Sequence, residues 1–243
     1  MFSLSNHLSN IASNAMKEIW DRTPREFQQV AIPRLLMMRC PPHRPEALLL
    51  VQGTGGGKSA VAQTVGYVDC GVVIIIEETL ALAADQKSKV GQASNTYGPV
   101  LAYQLDSIKR PNLIDKLKSK LSSMTKDTNV TIFLYTSPEC LAREPWKSIA
   151  IGLINRQVLK LVCVDEIQLF VMFGVTFRKE FTLLKQSFFK HLIDTNPSDV
   201  IAPGSLATYL KVPLLLMTAT LNQELLKILQ MMIGIRVAPD NYL

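Results

Sequence analysis

Short apolar runs recur along the chain at Ala47–Val51, Val72–Ile76, Thr131–Tyr135, Leu159–Val164 and Pro213–Met217. Each is rich in Val, Ile or Leu and shows no polar alternation, the pattern of strands covered on both faces. Amphipathic stretches lie between them. Asn112–Met124 predicts a helix with Leu113, Leu117 and Leu121 on one side and Lys116, Lys118 and Lys120 turned to solvent. Asn222–Met232 predicts a second helix, with Thr220 and Gln223 as its capping box. Near the start, Thr23, Pro24 and Glu26 predict an N-cap, a first-turn proline and a capping acid. Pro33 should kink that helix or end it near Ile32. Strands alternating with helices imply a mostly parallel sheet with helices on both faces, an α/β fold. Residues 1–22 read as an N-terminal helical extension and 23–243 as one domain.

Composition narrows the class. Of 243 residues, 48% are hydrophobic and 19% charged, which excludes a disordered or fibrous chain. A net charge of +6 leans toward an anionic partner. Cys40, Cys70, Cys140 and Cys163 stand apart with no Cys-x-x-Cys pair, so neither a zinc site nor a disulfide framework is expected, in keeping with a reducing compartment. No apolar run approaches the ~20 residues that span a bilayer. The start, Met1 to Asn10, lacks a basic leader before an apolar core. A soluble intracellular protein with no membrane partner is expected.

The candidate chemistry begins directly after the first apolar run. Gly53-Thr54-Gly55-Gly56-Gly57-Lys58-Ser59 places a glycine-rich loop between a strand and a helix. Glycines let backbone N–H groups approach phosphate oxygens, and the positive end of the following helix faces them. In such a loop Lys58 reaches the β- and γ-phosphates, and the Ser59 hydroxyl sits on Mg²⁺. Gln52 stands where the strict pattern has glycine. A second element must hold the metal and orient a nucleophile. Leu161–Val164 leads into Asp165-Glu166, two carboxylates at the end of an apolar strand, where an α/β sheet binds its ligand. Asp165 would hold Mg²⁺ through water, and Glu166 would polarise the attacking water. No Asn-Lys-x-Asp guanine reader follows.

Upstream, Arg25-Glu26-Phe27-Gln28 followed by Ala31-Ile32-Pro33 resembles the Q-motif of superfamily 2 helicases, where a glutamine amide reads the adenine edge. Further motifs follow in order. Thr54–Ser59 is similar to motif I, Leu80–Gln86 to motif Ia, and Tyr135-Thr136-Ser137-Pro138-Glu139 to motif Ib. Asp165-Glu166-Ile167-Gln168 stands at the Asp-Glu-Ala-His box, and Thr218-Ala219-Thr220 at motif III. From about Ala15 onward the chain resembles the first RecA-like lobe of a RecQ-type DNA helicase.

That resemblance implies a RecA-like P-loop fold using ATP and Mg²⁺, coupled to 3′-to-5′ movement on single-stranded or forked DNA. For a eukaryotic protein it implies the nucleus. Arg25 and Gln28 would read adenine, and Thr54, Gly55, Gly56, Gly57, Lys58 and Ser59 would hold phosphates and metal. Ser59 and Asp165 would hold Mg²⁺, while Lys58, Asp165, Glu166 and Gln168 form the catalytic set. Thr218 and Thr220 would couple hydrolysis to movement, with the Gln168 amide bonding Thr218 in place of the usual histidine. Ser137, Glu139, Phe170, Phe173 and Arg178 would lie along the nucleic acid. Phe170 and Phe173 fit loop aromatics that stack on bases. Phe177, Phe181, Leu184 and Phe188 follow helical spacing and fit a buried stripe. Phe173 replaces the usual Trp of this segment, and Val175-Thr176 its His-Asp pair. Glu77-Glu78 occupies the place of Ser-Pro beside the DNA path.

A superfamily 2 motor also needs a second RecA-like lobe, in cis or trans, carrying an arginine finger. No segment before Leu243 resembles one, so a fragment, a truncated product and a degenerate copy all fit the sequence. Two alternatives stand beside the DNA motor: a catalytically silent nucleotide- or nucleic-acid-binding module, and an RNA-dependent ATPase, since Ala31-Ile32-Pro33 also resembles DEAD-box proteins.

Overall fold

The computed structural model describes residues 2–77, 80–91, 97–168, 183–195 and 205–243. Its centre is a seven-stranded sheet in the order β3-β4-β2-β5-β6-β1-β7, with every pairing parallel. The strands are β1 (Ala47–Val51), β2 (Val72–Ile76), β3 (Val100–Gln104), β4 (Thr131–Thr136), β5 (Leu159–Val164), β6 (Leu214–Thr218) and β7 (Val237–Tyr242). The five apolar runs are five of these strands. The edge strands β3 and β7 are additional: β3 has a short apolar run, Val100–Tyr103, with every residue only half-buried, and β7 carries Pro239, Asp240 and Asn241.

Successive strand residues face opposite layers. Ala47 and Leu49 join one core, and Leu48 and Leu50 the other. The second core is closed by α1 (Phe2–Trp20), α2 (Glu26–Met37), α3 (Lys58–Val68) and α4 (Leu80–Gly91). The first is closed by α5 (Pro111–Ser123), α7 (Trp146–Asn155) and α9 (Gln223–Ile233). The short α6 (Pro138–Leu141) follows β4. A π-helical turn, Lys185–Phe189, runs into α8 (Lys190–Leu192) and buries Phe188 and Phe189. Helix α3 lies close on the sheet at Gly66, where a Cβ would come within 2.8 Å of both the Phe133 ring and Val73. Among the described residues no helix is long and apolar enough to cross a membrane.

Several local expectations are corrected. Helix α2 begins two residues later than the Thr23 pattern implied, with Arg25 as N-cap and Gln28, not Glu26, returning the capping bond to the Arg25 N–H. It continues through Pro33 to Met37, because a helix packed on α1 and α3 tolerates one missing N–H. Asn222 rather than Thr220 caps α9, its side chain accepting from the Leu225 N–H. In α5, Leu117 and Leu121 are buried as expected, but Leu113 is exposed at the first turn.

Candidate active site at the carboxyl edge of the sheet

The loops after β1, β5 and β6 lie side by side because β6 pairs with both β1 and β5. Beside them opens a cavity of about 680 Å³, lined by Thr54–Ser59, Arg25, Gln28, Asp165 and Glu166. Cavities of ~300–1,000 Å³ are the usual size of small-molecule sites. The loop 53–57 turns through a Gly56 N–H bond to the Gly53 carbonyl. It enters α3 at Gly57, whose φ of 90° lies in the left-handed region that glycine accommodates. No side chain caps α3. The partial positive charge of its first turn therefore faces the cavity.

Lys58 is the most telling residue. It is only 6% exposed, and its ammonium donates to the carbonyls of Gln52 at 2.7 Å and Gly53 at 3.5 Å. Among the described residues it forms no ion pair. A buried cation satisfied only by carbonyls is an incomplete arrangement that an anion would complete. Burial raises the Asp165 carboxyl above the ordinary range. The Glu166 N–H bond to Asp165 Oδ1 at 2.9 Å counters this, the Glu166 charge adds to it, and Lys58 offsets a further part. Glu166 has a φ of 48°, an uncommon conformation for a non-glycine residue and one that turns its side chain out of the line of β5.

Arg25 and Gln28 line the cavity, and each also bonds within the protein. Gln28 Oε1 accepts from the Arg25 N–H at 2.9 Å, and Gln28 Nε2 donates to the Gly57 carbonyl at 2.9 Å. The Arg25 guanidinium donates to the Gly56 carbonyl at 2.6 Å. Gln28 Nε2 and the Arg25 guanidinium thus hold helix α2 to the phosphate loop, while Gln28 Oε1 caps the helix.

A second chain of bonds joins β5 to β6. Gln168 Nε2 donates to Glu166 Oε2 at 2.6 Å, and Gln168 Oε1 lies 2.5 Å from the Thr218 hydroxyl. That hydroxyl has one proton to give, to Gln168 or to the Thr220 carbonyl at 2.8 Å, and it accepts from the Thr220 N–H at 3.2 Å. Glu166, Gln168, Thr218 and Thr220 form one connected path.

The residues expected along nucleic acid divide. Ser137 caps α6, accepting from the Cys140 N–H and donating to Asp106, so its hydroxyl is committed within the protein. Glu139 is half-buried on α6. Phe170, Phe173 and Arg178, with Phe177 and Phe181, lie outside the described residues. Leu184 and Phe188 are buried, as the helical spacing implied.

Other residues of the site were given no role from the sequence. Trp20 lines the cavity, donates to Thr64 and meets Tyr67 edge-on at a ring separation of 6.0 Å. Gln63 and Gln86 are buried polar groups behind Ser59. The signal for Gln63 was present, since a glutamine among the apolar residues of α3 calls for a buried partner. Glu77 follows β2 and is only 3% exposed, with its Oε2 unpartnered. Burial, then the charges of Asp165 and Asp85, push its carboxyl up to about 8.

The sequence pattern of the DEAD/DEAH box helicase family matches residues 25–228, from Arg25 through the phosphate loop to α9. The chain belongs to this family. Among individual proteins, this helicase domain is similar to ATP-dependent DNA helicase Q5 of Mus musculus, 26% identical over 139 residues. That match covers 57% of this chain but only 13% of the mouse protein. The fold is similar to that of the DUF1998 helicase MrfA solved with DNA and AMPPNP, at a TM-score of 0.57, 17% identity and coverage of 95% of this chain and 29% of the other. It is also similar to a DEAD box protein from Methanococcus jannaschii, with a TM-score of 0.53 at 17% identity over 91% of this chain and 50% of the other.

Proposed function

We propose that this helicase domain is the nucleotide-binding lobe of a RecQ-type DNA helicase, in which ATP hydrolysis drives 3′-to-5′ movement on DNA. The observation that carries the reading is Lys58: a buried ammonium at the mouth of an uncapped helix, facing a cavity large enough for a nucleotide. The similarity to a Q5 DNA helicase supports DNA as the polymer.

The donor set fits Mg·ATP. A hydroxyl and a carboxylate, Ser59 and Asp165, are the hard oxygen ligands that Mg²⁺ takes alongside phosphate and water. When bound, Mg·ATP supplies the γ-phosphoryl group and the cation that draws charge from it. Lys58 and the first N–H groups of α3 hold the phosphates. Glu166 orients the attacking water, and its bond to Gln168 carries the state of that carboxylate to Thr218 at the end of β6 and to Thr220 just beyond it. Arg25 and Gln28 keep the loop in shape from behind. Ser137, Glu139, Phe170, Phe173 and Arg178 are the proposed nucleic-acid side, and a second RecA-like lobe the proposed source of the arginine finger.

Calorimetric titration with Mg·ATP tests the reading. Removing a charged hydrogen bond costs about 1.5–3 kcal/mol, so Lys58→Ala should bind roughly 10- to 100-fold more weakly. Equal affinity of variant and parent would overturn it.

A further inference from the structure

Behind the phosphate loop, three polar side chains form a buried line that none of the motif roles uses. Gln86 Nε2 donates to Ser59 Oγ at 2.7 Å. Gln86 Oε1 in turn accepts from Gln63 Nε2 at 2.8 Å, and Gln63 Nε2 lies 3.2 Å from the Tyr135 hydroxyl. Gln63 and Gln86 are 3% and 7% exposed, and Tyr135 is fully buried. The line therefore runs from the loop, through α3 and α4, to the end of β4.

We infer that Gln86 is a positioning residue for the Ser59 hydroxyl, fixing the direction in which that oxygen offers its lone pair to a divalent cation. A serine hydroxyl has one proton and two lone pairs. With Gln86 donating into one lone pair, the other remains for the metal and the proton for a phosphate oxygen. The Gln86 amide is itself held, because Gln63 donates to its oxygen and leaves its N–H₂ toward Ser59. Without that donor the hydroxyl turns among its staggered positions, and only some of them offer a lone pair to the cavity. Groups that orient a ligand from behind typically contribute 10- to 100-fold to metal affinity. Gln86 belongs to α4, which packs on β3 and β4, whereas Ser59 belongs to α3. The metal site is thus tied to an element outside the loop, so a shift of α4 would alter how well Ser59 binds the cation.

The inference rests on the reading of the cavity as a Mg·nucleotide site, and the experiment separates the two. Fluorescent ADP is bound to the parent chain, Gln86→Leu, Gln86→Asn, Gln63→Leu and Lys58→Ala, first in EDTA and then along a Mg²⁺ titration. Gln86→Leu should raise the Mg²⁺ midpoint about tenfold, while its ADP affinity in EDTA stays that of the parent. Gln63→Leu should raise it less, since Gln86 remains but is free to turn. Gln86→Asn keeps an amide one methylene too short to reach Ser59, and carries the test should the leucine variant fail to fold. An unchanged Mg²⁺ midpoint in both Gln86 variants overturns the inference, as does an equal loss of ADP affinity with and without metal. If the parent binds no ADP, or Lys58→Ala binds as the parent does, the nucleotide reading falls and this inference with it.

Discussion

Replacing Glu77 by glutamine should make the protein more stable at pH 8 and above while changing little near pH 4.5. Glu77 follows β2, is 3% exposed, and leaves Oε2 without a hydrogen-bond partner. Its carboxyl is pushed up to about 8 because burial disfavours the charge and Asp165 and Asp85 add repulsion. Glu77 must therefore ionise in a dry site that already faces two carboxylates. In the unfolded chain the group releases its proton near 4.5. Between 4.5 and about 8 the folded state therefore binds more protons than the unfolded one, and stability falls as pH rises. Each pH unit so spanned costs ~1.4 kcal/mol, which puts the full penalty at about 5 kcal/mol once both states are ionised. Glutamine has the same shape and no charge to bury. Its amide adds donors that need partners, at ~1–3 kcal/mol if unmet, so the slope with pH is diagnostic and the absolute value is not. Urea unfolding of both proteins from pH 5 to 9 measures it. The difference between variant and parent should grow steadily toward pH 8 and then level off. Parallel curves would show that Glu77 already ionises normally in the folded state.

Other outcomes follow from neighbouring features. Gly66→Ala should cost about 1–3 kcal/mol in urea unfolding, because a methyl group there meets the Phe133 ring and Val73. Gln28→Ala should weaken ATP and GTP binding by similar factors in calorimetry, since its amide holds Gly57 and the Arg25 N–H; a loss confined to ATP would show that the amide reads the base. Gln168→Ala should leave Mg·ATP affinity intact yet slow single-turnover hydrolysis about 10- to 100-fold, the worth of one charged hydrogen bond realised in the transition state. Residues 1–243 alone should hydrolyse ATP slowly and unwind no duplex, since the arginine finger proposed to come from a second lobe is worth roughly 10³–10⁵ in rate; robust DNA-stimulated turnover abolished by Glu166→Gln would refute this.

The sequence was readable where a residue's environment follows from its own neighbours. Central strands such as Val72–Ile76 are apolar throughout because both faces are covered, and that alone marks them. The edge strand Val237–Tyr242 carries Pro239, Asp240 and Asn241, which an edge tolerates because one side needs no partner strand. Periodicity has nothing to register there. The glycine loop and the paired carboxylates were legible for a similar reason, since phosphate and metal chemistry fixes their spacing. What Gln28 does was not legible. An amide can read a base or hold a loop, and its bond to the Gly57 carbonyl depends on the approach of the loop to α2, which no local pattern reveals. The same holds for the Gln86–Ser59 bond, which joins residues whose nearness depends on the packing of α4 beside α3.

The position of β1 in the sheet bears on how the protein comes to be made. Its two partners are β6 and β7, and Ala47 pairs with both Leu214 and Val237. The strands β2, β3, β4 and β5 pair among themselves within residues 72–164, so they can zip together while the ribosome is still at work. Strand β1, synthesised before any of them, must wait with both backbone edges unpaired until the chain past residue 214 emerges. Such long-range pairings are slow to form and expose sticky edges in the interval. The strand that carries the phosphate loop is thus the first to leave the ribosome and among the last to be seated. A chaperone that shields nascent chains would find its longest-lived target at Ala47–Val51.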